Sequence, residues 1–244
     1  MADMPARPAY YALRSGGLRD IWTLLHPPYT AWHLSYVVIG ASLAPRVTTI
    51  RLLATLAAFF LAVGIAAHAL DELHGRPLGT SIPNRVLMAA SGVSLAGALA
   101  IGAAGLAFVG WPLIPFIMAG AFLVLAYDLE WFHGAIHTDA GFAAAWGSFP
   151  VLTGYLAQTG DLQAPALMAA AAAFMLTRAQ RVLSNRARSL RRRTRAVTGT
   201  INLHDGRSLT IDRPYLLEPL EQALRALSWT SVAFALTLVL LRFT

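Results

Sequence analysis

The sequence predicts an all-α protein: a polytopic transmembrane helical bundle of about seven spans, with a small cytoplasmic hairpin between the last two. Three observations predict it. Of 244 residues, 57% are hydrophobic and 13% charged, with a mean hydropathy of +0.56, which is no ordinary soluble composition. Uncharged stretches long enough to cross a bilayer recur; residues 52–70, for example, carry no charge, and about 20 apolar residues suffice for a span. The basic residues are segregated. All 19 are arginine, 11 of them fall between positions 178 and 225, and the net charge is +7.

Residues 1–28 read as a cytoplasmic interfacial lead-in. They contain charges and prolines but no apolar core segment, so no cleavable signal peptide is expected. Positions 10–25, with Arg14, Arg19 and Asp20 among aromatic and aliphatic residues, are expected to form an amphipathic helix along the interface. His26-Pro27-Pro28 ends it. Residues 29–177 form a six-span membrane bundle. The first span, about 29–44, opens with Trp32, His33 and Tyr36 at interface depth, where a lone histidine is more often structural than a ligand. The second is about 51–70, followed by a turn-rich loop from Arg76 to Pro83, and the third about 86–105. The fourth, about 108–127, tolerates Pro112 and Pro115 if neighbouring helices satisfy the freed carbonyls. The fifth, about 140–157, is rich in the small residues that allow close packing, and the alanine-rich sixth, about 162–177, ends at Arg178.

Residues 178–226 are expected to be an Arg-rich cytoplasmic loop, the orientation following from the positive-inside rule. Within it, positions 200–211 read as a hairpin turned by Asp205-Gly206, and an amphipathic helix over 214–227 leads to the final span in 227–244. The topology is therefore N-terminus inside and C-terminus outside. Cysteine is absent, which excludes disulfides, thiolate metal sites and a cysteine nucleophile. The arginine run has three readings: it fixes topology, contacts the anionic headgroups of the bilayer, or receives a pyrophosphate. Nucleic acid is rejected as a partner, because no aromatic interleaving or nucleic-acid motif accompanies the arginines.

Two clusters carry the chemistry. His68, Asp71 and Glu72, with His74 and Arg76 beside them, follow the second span. Asp128, Glu130, His133, His137 and Asp139 follow the fourth. Together these two stretches hold five of the 12 acids and four of the seven histidines. Helical spacing would put His68, Asp71 and Glu72 on one face, and Glu130, His133 and His137 on another. The topology brings both clusters to the same membrane face. Ionisable groups at membrane depth are costly and mark function. The ligand set expected for a divalent metal is His68, Asp71, Glu72, Glu130, His133, His137 and Asp139. Asp139 serves equally well as the N-cap of the fifth span. Asp128 and His74 read as interfacial. Histidine ligands favour iron, zinc or manganese over magnesium, and Glu130-x-x-His133 has the spacing of dimetal carboxylate bundles.

The order of these motifs resembles the UbiA-type intramembrane prenyltransferases. That family has an acidic motif after its second helix and then an Arg-Pro-Leu segment, matched here by positions 68–77 and Arg76-Pro77-Leu78-Gly79. A tyrosine follows its fourth helix, then a Gly-Trp-Gly-like fifth helix ending in Gly-Tyr-x-x-x-x-Gly. Tyr127, Ala145-Trp146-Gly147 and Gly154-Tyr155 through Gly160 correspond. The likeness spans roughly residues 20–180. It implies a lipid or isoprenoid substrate, prenyl transfer from a diphosphate with magnesium as the metal, and Arg76 as a phosphate contact. Tyr127 and Tyr155 are candidates for the cavity wall or for the aromatic belt. The sequence departs from the family in its missing second aspartate motif: no acid occurs from Arg178 to Arg195. Three functional expectations follow. The first is a metal-dependent membrane enzyme acting on an isoprenoid or other lipid. The second is a dimetal oxidoreductase modifying a lipid, with iron as the expected metal. The third is a non-enzymatic lipid-binding or assembly protein.

Overall fold

The structure, a computed structural model, describes residues 8–13 and 16–243; Arg14 of the expected lead-in helix lies outside them. Eight helices and one hairpin follow in order. They are α1 (Leu18–Leu25), α2 (Pro27–Ser42), α3 (Thr49–Leu73), α4 (Asn84–Val109), α5 (Leu113–Asp128), α6 (139–159), α7 (Ala164–Arg192), β1 (Gly199–Asn202), β2 (Ser208–Ile211) and α8 (Arg213–Phe243).

Four of these helices, α3, α4, α7 and α8, are long and apolar enough to cross a membrane; α5 is apolar but shorter. Their burial points the same way. Only 6% of the most apolar stretch of α4 is buried inside the protein, so its hydrophobic surface faces outward. Exposed apolar area on that scale is stable against lipid and a liability in water. The chain is a membrane-type helical protein.

Helix boundaries differ from the expected ones where charge was taken to end a helix. α7 does not stop at Arg178 but runs to Arg192, since arginine is a good helix former and no Pro or Gly interrupts it. Likewise, the expected amphipathic helix and last span are a single helix, α8, with Pro219 inside it. Among the described residues of the amphipathic helix expected over 10–25, the helical ones are Leu18–Leu25. Asp20 there is buried and accepts bonds from Ser81 N at 3.0 Å, Ser81 Oγ and Gly16 N at 3.1 Å, which docks α1 on the loop after α3. His26 takes a left-handed conformation (φ 47°), and Pro27 starts α2 at the position where its missing N–H costs nothing.

The packing centre is the crossing of α2 and α6. A Cβ on Gly40 would lie 2.0 Å from the Val151 carbonyl oxygen, and one on Gly154 would lie 2.2 Å from that of Val37. The two backbones touch, which only glycine permits. Trp32, Tyr36, Val37, Val151 and Tyr155 fill the buried layer around this contact.

The loops gather at two ends. At one, Arg51 donates to the carbonyls of Gln158 (3.1 Å) and Phe108 (2.9 Å), Thr48 N donates to Gln158 Oε1 (2.8 Å), and Arg242 reaches the Ser42 carbonyl (2.8 Å). The other end holds α1, the loop after α3, residues 128–139 and the C-terminal half of α7. Arg191 grips Glu221 there with a bidentate pair at 2.5 and 2.8 Å, fastening α7 to α8.

The hairpin pairs Gly199 with Ile211 and Asn202 with Ser208. Its turn is one residue longer than a two-residue Asp-Gly turn. The amide of Gly206 (φ 82°) bonds the Leu203 carbonyl at 3.0 Å, and Leu203 N bonds the Arg207 carbonyl at 2.8 Å. That is a type I turn closed by a left-handed glycine.

Candidate functional site

At the second end lies a cavity of about 210 Å³, bordered by α2, α3, α5, α6, α7, α8 and the N-terminal segment. Its wall carries His26, His33, His68, Asp71, Tyr127, Asp128, His137, Arg181, Arg188 and Arg192. A second cavity, about 300 Å³ and almost wholly apolar, runs between α3, α4, α5 and α6. The two share Val63 and Trp146.

Both shared residues sit in π-helical turns, Val63 in Phe60–Ala67 of α3 and Trp146 in Ala144–Ser148 of α6. Such turns interrupt the normal backbone ladder and are frequent at functional sites. In each, a carbonyl is taken by a histidine: His68 Nδ1 donates to Gly64 O at 3.1 Å, and His33 Nδ1 to Trp146 O at 2.8 Å. His137 Nδ1 donates to Tyr127 O at 3.3 Å. A carbonyl can only accept, so in all three rings Nδ1 carries a proton, and in the neutral ring the lone pair is then on Nε2. His68 stacks on His26 (centroids 4.3 Å apart, 20° between planes), and His137 on Tyr127 (4.3 Å, 18°). Burial, followed by the nearby His68 and Arg192, holds His26 well below the ordinary imidazole pKa; burial raises that of Tyr11. The neutral pair bonds as Tyr11 O–H to His26 Nδ1, at 2.5 Å.

The expected ligand set divides. His68, Asp71 and His137 face the cavity. Glu72 does not: it is fully buried, and its carboxylate accepts from Leu78 N (2.9 Å), Thr80 N (2.8 Å) and Thr80 Oγ1 (2.9 Å). It is the anchor of the loop after α3. Arg76, expected at a phosphate, anchors the same loop from the other side by donating to Thr80 O (3.2 Å), Ile82 O (2.7 Å) and Asn84 Oδ1.

Glu130, His133 and His137 do not share a helical face, because α5 ends at Asp128. Glu130, Phe132 and His133 then take positive φ (50°, 57° and 58°), leaving Glu130 and His133 exposed. Asp139 is the first residue of α6 rather than its cap. Thr138 is the cap, its Oγ1 accepting from Gly141 N at 2.9 Å. Asp139 instead receives Arg181 Nε at 3.0 Å and Asn185 Nδ2 at 3.1 Å. Tyr127 borders the polar cavity; Tyr155 packs in the core against Ala44 and Ala166 and borders neither cavity.

Among the described residues, no three His, Asp or Glu side chains form a group able to hold a metal ion. His68, Asp71 and His137 of the expected ligands remain at the cavity, while Glu72 and Asp139 are engaged by other partners and Glu130 and His133 are exposed. Three carboxyl groups line the cavity: Asp71, Asp128 with Oδ2 buried and without a hydrogen-bond partner, and Glu221, which Arg191 holds.

Asp128, His26 and His33 belong to the site although their sequence contexts pointed elsewhere. Asp128 was off the assumed helical face, His26 preceded two prolines, and His33 stood alone in an aromatic segment. Arg188 and Arg192 were legible only as members of a charge run.

No family model, curated protein or solved structure matches this chain. The fold and site define its class by themselves: an all-helical membrane-type protein with a polar cavity and an apolar cavity that meet at the shared wall residues Val63 and Trp146.

Proposed function

We propose that this protein is an integral-membrane enzyme of UbiA-like architecture, acting on an isoprenoid or similar lipid that carries a phosphate-type head. In this reading about seven helices span the bilayer, and the N-terminus and the Arg-rich end of α7 are cytoplasmic. The observation that carries it is the junction at Val63 and Trp146. An amphiphile has one polar end and one long apolar end; here a cavity with arginine, histidine and carboxylate groups adjoins one lined by Leu, Ile, Phe and Ala, with Val63 and Trp146 between them. The scissile head-to-chain bond of a prenyl diphosphate would lie at that junction, away from bulk water, where electrostatic interactions are strong.

The chain's own residues have defined tasks in this scheme. Arginines on α7 hold the head, the apolar cavity orients the chain, and the Nε2 lone pairs of His33, His68 and His137 are available to accept a proton from an attacking nucleophile.

Substituting Val63→Phe tests the reading by filling the junction. Titration of the detergent-solubilised protein with farnesyl thiolodiphosphate should show at least a tenfold weaker affinity, about 1.4 kcal/mol, while inorganic diphosphate binds as before. Equal effects on both probes, or no binding of either by the parent protein, would overturn the reading. Binding by the parent without turnover of any prenyl diphosphate would leave a lipid-binding protein in place of an enzyme.

A further inference from the structure

From Arg178 to Arg195 the chain contains no acid, and α7 carries this stretch, as far as Arg192, along the polar cavity. Arg181, Arg188 and Arg192 are spaced i, i+7 and i+11, which falls on one helical face, and all three border the cavity. Their present partners leave capacity. Arg181 is paired with Asp139 at 3.0 Å; Arg188 gives one N–H to Asn185 Oδ1 at 2.6 Å; Arg192 Nε donates to the Pro8 carbonyl at 3.2 Å. The ion pairs among the described residues are Arg181–Asp139, Arg191–Glu221 and Arg207–Asp205, so neither Arg188 nor Arg192 has its charge answered by direct contact with a carboxylate.

We propose that the cavity binds the phosphate or diphosphate head of its ligand directly on the guanidinium groups of Arg188 and Arg192, with Arg181 as a third contact, and without a bridging metal. This rests on the functional reading above and departs from the metal-bridged site that the UbiA resemblance implies. A guanidinium offers a planar fork of donors that matches two phosphate oxygens, and it keeps its charge when partly buried. Arg188 is partly buried without a paired carboxylate, which is costly, and an anion entering the cavity relieves that cost; Arg192 is exposed at the cavity edge, where it adds charge and donors. The carboxyl groups in the lining, Asp71, Asp128 and Glu221, stand on the α3, α5 and α8 walls, so the α7 side is the one that carries the donors.

The test is calorimetric titration of the EDTA-treated, detergent-solubilised full chain with inorganic diphosphate and with farnesyl thiolodiphosphate, repeated with magnesium. The proposal expects the prenyl probe to bind in EDTA within about twofold of its affinity in magnesium. It expects Arg188→Gln and Arg192→Gln each to weaken binding at least tenfold, with Arg188→Lys intermediate because the charge remains and the fork is lost. Arg186→Gln, on the exposed side of α7, should change affinity by less than about twofold. Melting temperatures of the variants separate lost binding from lost folding, and Arg188→Lys serves if Arg188→Gln does not fold. Binding that requires magnesium, or that survives both glutamine substitutions, overturns the arginine site and leaves the lipid-phosphate reading standing. Inorganic diphosphate binding as tightly as the prenyl probe keeps the arginine site but makes its ligand a free phosphate. Failure of both probes under both conditions removes both proposals.

Discussion

Glu72 is a carboxylate whose acceptor positions face two backbone amides and a hydroxyl inside the protein. Replacing it with alanine leaves those donors buried without an acceptor, at a cost of about 1–3 kcal/mol for an unsatisfied group and more where a charge had been involved. Glu72→Ala should therefore lower the melting temperature strongly. If the loop alone is at fault, the loss will be the same with and without ligand; loss of ligand affinity in a normally stable variant would return Glu72 to the site. His26 makes a second prediction at this scale. Its folded pKa is depressed below 6.5, so on acidification the unfolded chain takes up the proton first. The stability it contributes is complete above about pH 6.5, is lost as pH falls below that value, and levels off only beneath the folded pKa. Thermal unfolding between pH 7.5 and 5 should show this fall. His26→Asn, which tolerates the left-handed backbone and keeps an acceptor for Tyr11, should flatten the slope.

The decisive contact between elements is the one between α2 and α6. Alanine at Gly154 or Gly40 would place a methyl group against a backbone oxygen that cannot swing aside. Each substitution should destabilise by about 1–3 kcal/mol or more, the range for overpacking. Gly92 of α4 provides the comparison: a Cβ there meets nothing within 4 Å, so Gly92→Ala should be neutral or slightly stabilising on helix propensity. Similar melting shifts at all three positions would refute the close crossing. The π turns in α3 and α6 act at the same scale. By widening one turn in each helix they set Val63 and Trp146 at the junction of the cavities, and they present the carbonyls that His68 and His33 use.

For the molecule as a whole, the proposed topology sorts the loops into two sets. Loops at 74–83 and 129–138 should lie on the same side as the arginines of α7, and those at 43–48, 110–112 and 160–163 on the other. The absence of cysteine makes this directly measurable. Single cysteines at Ser81, His133 and Arg186 should react with a membrane-impermeant maleimide from one face of sealed vesicles, and cysteines at Trp111 and Asp161 from the opposite face. Mixed accessibility within either set would break the seven-span arrangement, while the four long apolar helices would still stand.

Hydropathy alone determined the membrane-type helical class, because apolar length and charge placement are local properties read directly from residues. The hairpin and the break at His26-Pro27-Pro28 were legible for the same reason: turn chemistry acts within a few residues. The conjunction of His68, Asp71 and His137 was partly legible, since two charged stretches ending neighbouring spans are forced toward one end. Tertiary structure decided everything that depends on direction. Glu130, Phe132 and His133 leave the helix through positive φ, so the i, i+3, i+7 spacing of Glu130, His133 and His137 has no geometric meaning. Glu72 turned toward a loop that needed an acceptor, which a one-dimensional cluster cannot distinguish from a ligand. Arg188 and Arg192 gained their position because α7 continues past the point where charge suggested an end. The π turns have no signature in the sequence; they arise when packing between helices is worth more than a regular backbone ladder, and that balance exists only in the folded chain.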